Sequence, residues 1–251
     1  MGVFTDVLER EVRLEYMKPE EAAKAKREAP RIYVPFGSIE WHGYHNALGL
    51  DAVKAHEQLV GLATRAGGVV YPAVFFGSGG GHHGWPSTFM FSKEPLIALT
   101  VELLRGFEAD GYEKVVLLSG HYPNRSQFMD SAIAEYRQSG GQMAVLALVE
   151  NQADDVGGDH AAKFETSFMM YLHPDKVDTV RLHTGPTDDF GGPDERINYM
   201  GDEYEGHPCY GLVGIDPRAH ASAAVGRENT ENLLAFFEKW LTAVDHKDTA
   251  E

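Results

Sequence analysis

The stretch "KVVLLSGHYPN", residues 114–124, decides the architecture. Val115 to Leu118 form an apolar run with no polar alternation, the mark of a strand covered on both faces. The run passes through Gly120 directly into His121. Pro123 then opens a helical stretch over 123–141 that ends at glycine. Working outward, the same strand-then-helix unit recurs. "RIYVPFG" (31–37) reads as a strand, and a helix follows from Asp51 to the Gly67-Gly68 stop. "VVYPAVFFG" (69–77) reads as a second strand before the amphipathic helix 93–111. "MAVLALV" (143–149) precedes a helix over 163–174, and 229–244 forms a closing helix. This alternation predicts an α/β fold, a mostly parallel sheet sandwiched between helices. We expect one domain over 1–251, with a helical lead-in (1–30, helix over 18–29), a loop or flap over 184–210 and a frayed tail from 246.

Bulk properties narrow the partners. The chain has 38 acidic and 22 basic residues, a formal charge of −16. Such a surface repels phosphate backbones and anionic lipid, so nucleic acid and membrane are not expected partners. The single cysteine, Cys209, excludes an intrachain disulfide and Cys/His zinc patterns. The first thirty residues are highly charged and carry no apolar run, so no secretory signal is expected and the cytoplasm is the expected location.

In open α/β sheets, ligands bind beyond the carboxyl ends of the strands. Three polar clusters fall there: "GSIEWHG" after 31–36, "GSGGGHHGWP" after 69–76 and "GHYPN" after 114–119. In the first, Glu40 and His42 are two apart and share a side of an extended segment. Asp51, at a helix start, adds a carboxylate. Carboxylates mixed with imidazoles suit Zn, Mn or Fe. The competing reading pairs Glu40 with an arginine, leaves His42 and His45 exposed, and makes Asp51 a helix cap. His121, presented at a strand end, weighs toward the metal. His160 and Glu165 in "GDHAAKFETS" are five apart, which places His160 on a loop and Glu165 within the helix. Asn124 reads as a turn or supporting residue, and Arg125 as an anchor for a carboxylate or a partner of Asp130.

Taken together, "VPFGSIEWHGYHNALGLD", "GHHGWPST", "SGHYPN", "HAAKFETS" and "YGLVGIDPRAHASAAVG" resemble, in order over residues 34–226, the motifs of the creatininase family. The resemblance implies a two-metal hydrolase on a three-layer α/β/α creatininase-like sandwich, assembled as a homo-oligomer, commonly a hexamer, and acting on a small molecule. Carried over by position, Glu40 and His121 bind one divalent ion and His42 the second, with Asp51 bridging. Glu165 is the candidate to complete the second site, and His160 matches the family's general acid/base. Zinc, manganese or both are implied, with iron an option. His45, His82, Trp85 and Tyr122 are expected substrate contacts, and Trp41 and His83 further pocket residues.

The departures bear on substrate. Creatininases proper carry a glutamate two residues after the metal-binding histidine, where this chain has Pro123. Proline offers no side-chain ligand, so whether one or two ions bind is open. Asn46-Ala47 and Leu50 also replace the usual residues. The expectation is hydrolysis of a small cyclic amide or related C–N bond by metal-activated water. The alternatives are ring-opening C–C hydrolysis of an oxidised cyclitol or keto sugar, favoured by a pocket lined with Asn46, His82, His83 and Tyr122, or an inactive metal-binding oligomer, for which Pro123 is the motive.

Overall fold

A computed structural model describes residues 2–185 and 192–248. Short 3-10 turns at Thr5–Val7 and Leu14–Tyr16 lead into helix α1 (Pro19–Glu28), which has proline in its first turn and Lys26 and Arg27 in its last. Strand β1 (Arg31–Phe36) follows, then α2 (Leu50–Ala66), β2 (Val69–Val70), α3 (Lys93–Ala109), β3 (Lys114–Ser119), α4 (Asp130–Gln138), β4 (Ala144–Val149) and α5 (Lys163–Leu172). The chain closes through a hairpin of β5 (Arg196–Asn198) and β6 (Val213–Ile215), a short α6 (Pro217–His220) and the long α7 (Ala223–Asp248).

Among the described residues the main sheet has the order β2-β1-β3-β4, with every pairing parallel. β1 and β3 pair along their full length, from Arg31 opposite Lys114 to Phe36 opposite Ser119. Alternate residues therefore serve opposite faces. Tyr33, Val116, Leu118 and Leu148 pack against Leu59 and Leu62 of α2, Phe168 of α5, and Leu233 and Phe237 of α7. Ile32, Val34, Phe36, Val115 and Leu117 pack against Leu104 and Phe107 of α3 and against Phe128, Met129 and Tyr136 around α4. The three-layer α/β/α sandwich expected from the alternation is the architecture found.

Several boundaries differ from expectation, each for a local reason. The second strand keeps only two residues in regular pairing because Pro72 has no N–H for the ladder. The backbone resumes contact at single bridges, Phe36 to Val74 and Gly77 to Met90. The helix expected from Pro123 begins as a π-helical turn, Arg125–Met129, before α4. The closing helix runs from Ala223 to Asp248 and so includes the start of the expected frayed tail; residues 249–251 lie outside the described set. Of the expected loop over 184–210, residues 186–191 also lie outside it, and the described part carries β5.

Candidate metal centre

Helix α2 starts against the ends of β1 and β3, which brings three loops together. At Gly37 a Cβ would sit 2.1 Å from the backbone nitrogen of Ala52, and at Gly120 it would sit 2.2 Å from the carbonyl oxygen of Asp51. Only glycine permits that approach. Asp51, the second residue of α2, is therefore pressed against the strand ends, and its carboxylate accepts from Ser38 Oγ at 2.7 Å rather than capping its helix. Asn124 joins the neighbouring loops. Its Oδ1 accepts from the Ser78 N–H at 2.9 Å, while its Nδ2 donates to Ser119 Oγ at 3.0 Å and to the Gly37 carbonyl at 3.3 Å.

Four histidines surround the carboxylates, and each has one ring nitrogen against a backbone carbonyl. His42 Nδ1 lies 3.0 Å from the Glu40 carbonyl, His82 Nε2 2.8 Å from that of Gly211, His121 Nε2 3.3 Å from that of Gly79, and His160 Nε2 2.8 Å from that of Trp41. A carbonyl only accepts, so each of these nitrogens carries the proton, and in the neutral ring the other nitrogen is a lone pair. Three of the remaining nitrogens face acid. His121 Nδ1 is 2.8 Å from Glu40 Oε2 and 3.3 Å from Asp51 Oδ2. His42 Nε2 is 3.2 Å from Asp51 Oδ1 and 3.7 Å from Glu165 Oε2. His82 Nδ1 is 3.3 Å from Glu40 Oε1. The rings of His42, His160 and His82 stack, with centroids 4.6 and 3.9 Å apart.

A lone pair facing a carboxylate is repulsive unless a cation lies between them, either a second proton or a metal. Buried His42 Nε2 has no hydrogen-bond partner. Three donor sets converge tightly enough to hold an ion: Glu40, Asp51 and His121; His42, His160 and Glu165; and Glu40, His82 and His160. Nitrogen and carboxylate donors with carbonyl-anchored imidazoles are the arrangement that divalent transition ions select. On this evidence the residues fit the implied metal.

The charges respond as this geometry dictates. Burial works against the positive charge on His42, but Asp51, Glu165 and Glu40 outweigh it and hold its pKa at about 9. Burial is likewise overcome at His121 by bonds to Asp51 and Glu40, giving about 10. Glu40 and Asp51 would be raised by burial, yet the histidines hold both well below the ordinary carboxylate range. Burial and the charge of His42 push His160 well down, so it is a neutral imidazole. Asp159, beside it, is raised to about 7 by burial and by Glu165, against two backbone N–H bonds from Phe164 and Glu165.

Behind the centre, Lys54 of α2 is fully buried, with Nζ 2.7 Å from both Glu165 Oε1 and Glu150 Oε2. Glu165 Oε2 also accepts the Ala161 N–H at 2.7 Å. Burial opposes the charge of Lys54, but the two glutamates hold its pKa well above normal. Glu150 itself is pushed up to about 7, chiefly by burial.

A cavity of about 450 Å3 opens on the centre. Glu40, Asp51, His82, His121, Tyr122, His160 and Glu165 all line it, as does Pro123. Two expected substrate contacts lie elsewhere. His45 is buried behind the wall, its Nε2 2.8 Å from Thr166 Oγ1, and loss of hydration takes its pKa down to about 3. Trp85 belongs to an aromatic group with Trp41, Tyr210 and the edge of His82. Asn46 and His83 do not line the cavity either, and Arg125 pairs with Asp130. Sequence reasoning passed over Asp159, Lys54, Glu150, Asn151 and Arg196. Only Asp159 had a signal there, its position next to His160.

The sequence model described as Creatininase: Creatinine amidohydrolase matches residues 15–241. The chain belongs to the creatininase family. The creatinine amidohydrolase of Pseudomonas putida is 30% identical over 181 residues, covering 62% of this chain and 69% of that protein. The mycofactocin precursor peptide peptidase of Mycolicibacterium smegmatis is 32% identical over 165 residues, covering 63% of this chain and 64%, less than two thirds, of the relative. In three dimensions the chain resembles a crystal structure of creatinine amidohydrolase with a TM-score of 0.74 at 22% identity, over 92% of this chain and 97% of that one. Solved creatininase structures that match it include a manganese form and a zinc–zinc form. Membership makes the chain a metal-dependent hydrolase of the creatininase type. No helix among its described residues is long and apolar enough to cross a membrane.

Proposed function

We propose that the protein hydrolyses the C–N bond of a small amide, with divalent ions held by Glu40, Asp51 and His121 and by His42, Asp51 and Glu165. The observation that carries this reading is the set of carbonyl-anchored imidazoles aimed at buried carboxylates on the floor of the cavity. Divalent ions in such a site supply Lewis acidity toward a carbonyl and toward water. The chain's own groups do the rest. Asp51 and Ser38 fix the geometry of the acidic floor, and Tyr122 and His82 border the substrate space. His160 has its Nε2–H tied to Trp41, so its Nδ1 is the atom available to take up a proton and return it to a leaving nitrogen. Asp159, with a pKa near neutrality on the cavity wall, is the second proton carrier. Exclusion of water is aided by the Gly79–Gly81 loop, where a Cβ on Gly80 would come within 3.2 Å of the His121 ring.

Pro123 removes the usual glutamate, and Glu165 is proposed in its place, already committed to Lys54 through one oxygen. Ring-opening C–C hydrolysis is the weaker reading, because of the four polar groups that would favour it only His82 and Tyr122 reach the cavity. The reading further includes a cytoplasmic homo-oligomer, commonly a hexamer in this family; exposed Phe76, Phe89 and Phe91 support a buried protein contact.

A hydrolysis screen of lactams, formamides and keto-cyclitols with Mn, Zn, Fe or Co supplied tests the function. Appearance of a free amine, on the ring-opened product of a lactam or released from a formamide, abolished by chelation, is the expected result. Turnover of keto-cyclitols alone would replace the C–N reading. Fewer than one tightly held ion per chain, with no hydrolysis on adding metal, would overturn the enzyme reading.

A further inference from the structure

The lining of the same cavity includes Arg196. Several other arginines are held by carboxylates: Arg13 by Glu11, Arg31 by Asp245, Arg65 by Glu231 and Arg218 by Asp216. Arg196 is exposed at the mouth of the cavity and has no hydrogen bond or ion pair among the described residues. Asn151, also on the wall, has an amide equally without a partner there.

Arg196 is nonetheless held in register with the catalytic turn. It lies opposite Ile215 in the β5–β6 hairpin, in which Asn198 pairs with Val213. Val213 in turn exchanges both backbone hydrogen bonds with His160, at 2.8 and 3.0 Å. Gly214, at φ 158°, lets the hairpin lie flush against that turn, since a Cβ there would sit 2.5 Å from Asp159 Cβ. The hairpin thus joins the backbone of His160 to the strand that carries Arg196.

We propose that Arg196 is a specificity-determining residue that binds a carboxylate on the substrate, so that the amide cleaved is one bearing a free acid group. This rests on the cavity being the substrate site of a hydrolase. A guanidinium binds a planar carboxylate through two parallel N–H bonds, and Asn151 offers a further donor. A phosphate dianion fits less well, because a single arginine would face it beside an acidic floor.

The test uses the full-length, manganese-loaded protein and calorimetry with matched neutral and anionic probes. N-acetylglycine, N-acetyl-β-alanine and N-acetyl-γ-aminobutyrate are each compared with their carboxamides, which spans a range of reach. At least one acid should bind roughly 10- to 100-fold tighter than its amide, as a charge-assisted bidentate pair provides. Arg196→Gln should bring that ratio to within about twofold with metal content unchanged, and Arg196→Lys should retain part of it. Equal binding of acid and amide in every pair, or no binding of either, would overturn the proposal. So would a preference that survives in Arg196→Gln, since the carboxylate would then be at the metal centre. Failure to hydrolyse any amide, with the Arg196-dependent preference present, would refute the hydrolytic reading and leave the anion site standing.

Discussion

The chemistry of the centre is set by hydrogen bonds that individual imidazoles make away from it. A ring nitrogen bonded to a main-chain carbonyl cannot also be a ligand, so His42 and His121 have one nitrogen each to offer, and it faces acid. In protein stripped by a chelator, protons must take that place. The folded-state pKa values of about 9 and 10 exceed the ordinary 6.5 of histidine. Their contribution to stability is therefore full below pH 6.5 and lost as pH rises through 9 to 10. The melting temperature of chelated protein should fall over that window, whereas metal affinity should rise with pH as protons cease to compete. A flat melting profile from pH 6.5 to 10 in the chelated protein would contradict this assignment. Lys54 makes a second test. Lys54→Met leaves Glu150 and Glu165 buried without their cation, a loss of about 3–5 kcal/mol by comparison with other broken buried pairs. Urea unfolding should show that loss in chelated protein and a larger stabilisation by added metal than in the wild type. Glu40, His42, Asp51 and His121 were legible in the sequence because they cluster at strand ends. Lys54 was not, since a lysine one turn into an amphipathic helix reads as solvent-facing, and nothing local reveals that two distant glutamates close over it.

At the scale of elements, the decisive contact is the start of α2 against the ends of β1 and β3. Gly120→Ala should drive the Asp51 carbonyl away from the strand end, because the new methyl meets backbone rather than a yielding side chain. We expect a loss of about 2–4 kcal/mol, in the range of overpacking and strain at a close backbone approach, together with loss of most bound metal. Wild-type metal stoichiometry in a folded Gly120→Ala protein would show that the helix start has no part in forming the centre. The order of elements was readable because apolar runs and glycine stops punctuate the chain. The apolar run 69–77 hides the short extent of β2, which Pro72 ends, and the β5–β6 hairpin leaves no trace because three-residue strands such as "RIN" and "VGI" carry no periodicity. The hairpin is what brings Arg196 and Val213 to the cavity. His45 and Trp85 do not line the cavity: His45 is buried against Thr166, and Trp85 packs with Trp41 and Tyr210, contacts that the local sequence of neither residue announces.

Over the whole molecule, two apolar layers hold a parallel sheet whose carboxyl ends converge on the acidic cavity. That convergence was foreseeable from topology alone, since every strand of the main sheet runs in the same direction. The shape of the cavity was not, because its walls come from β5, β6 and the Gly79–Gly81 loop, which the alternation of strands and helices does not place. Asn124 ties three of the converging loops together, and the candidate ligands extend from the loop after β1 to α5. This spread bears on how the chain reaches its native state. The proposed donor sets are both complete only when β1 has paired with β3 and α2 and α5 have docked, so we expect the full site to form after the rate-limiting barrier. In stopped-flow chevrons, added metal should leave the refolding limb in place and depress the unfolding limb. The bound ion would then act as a latch, setting how long the folded molecule lasts rather than how quickly it forms.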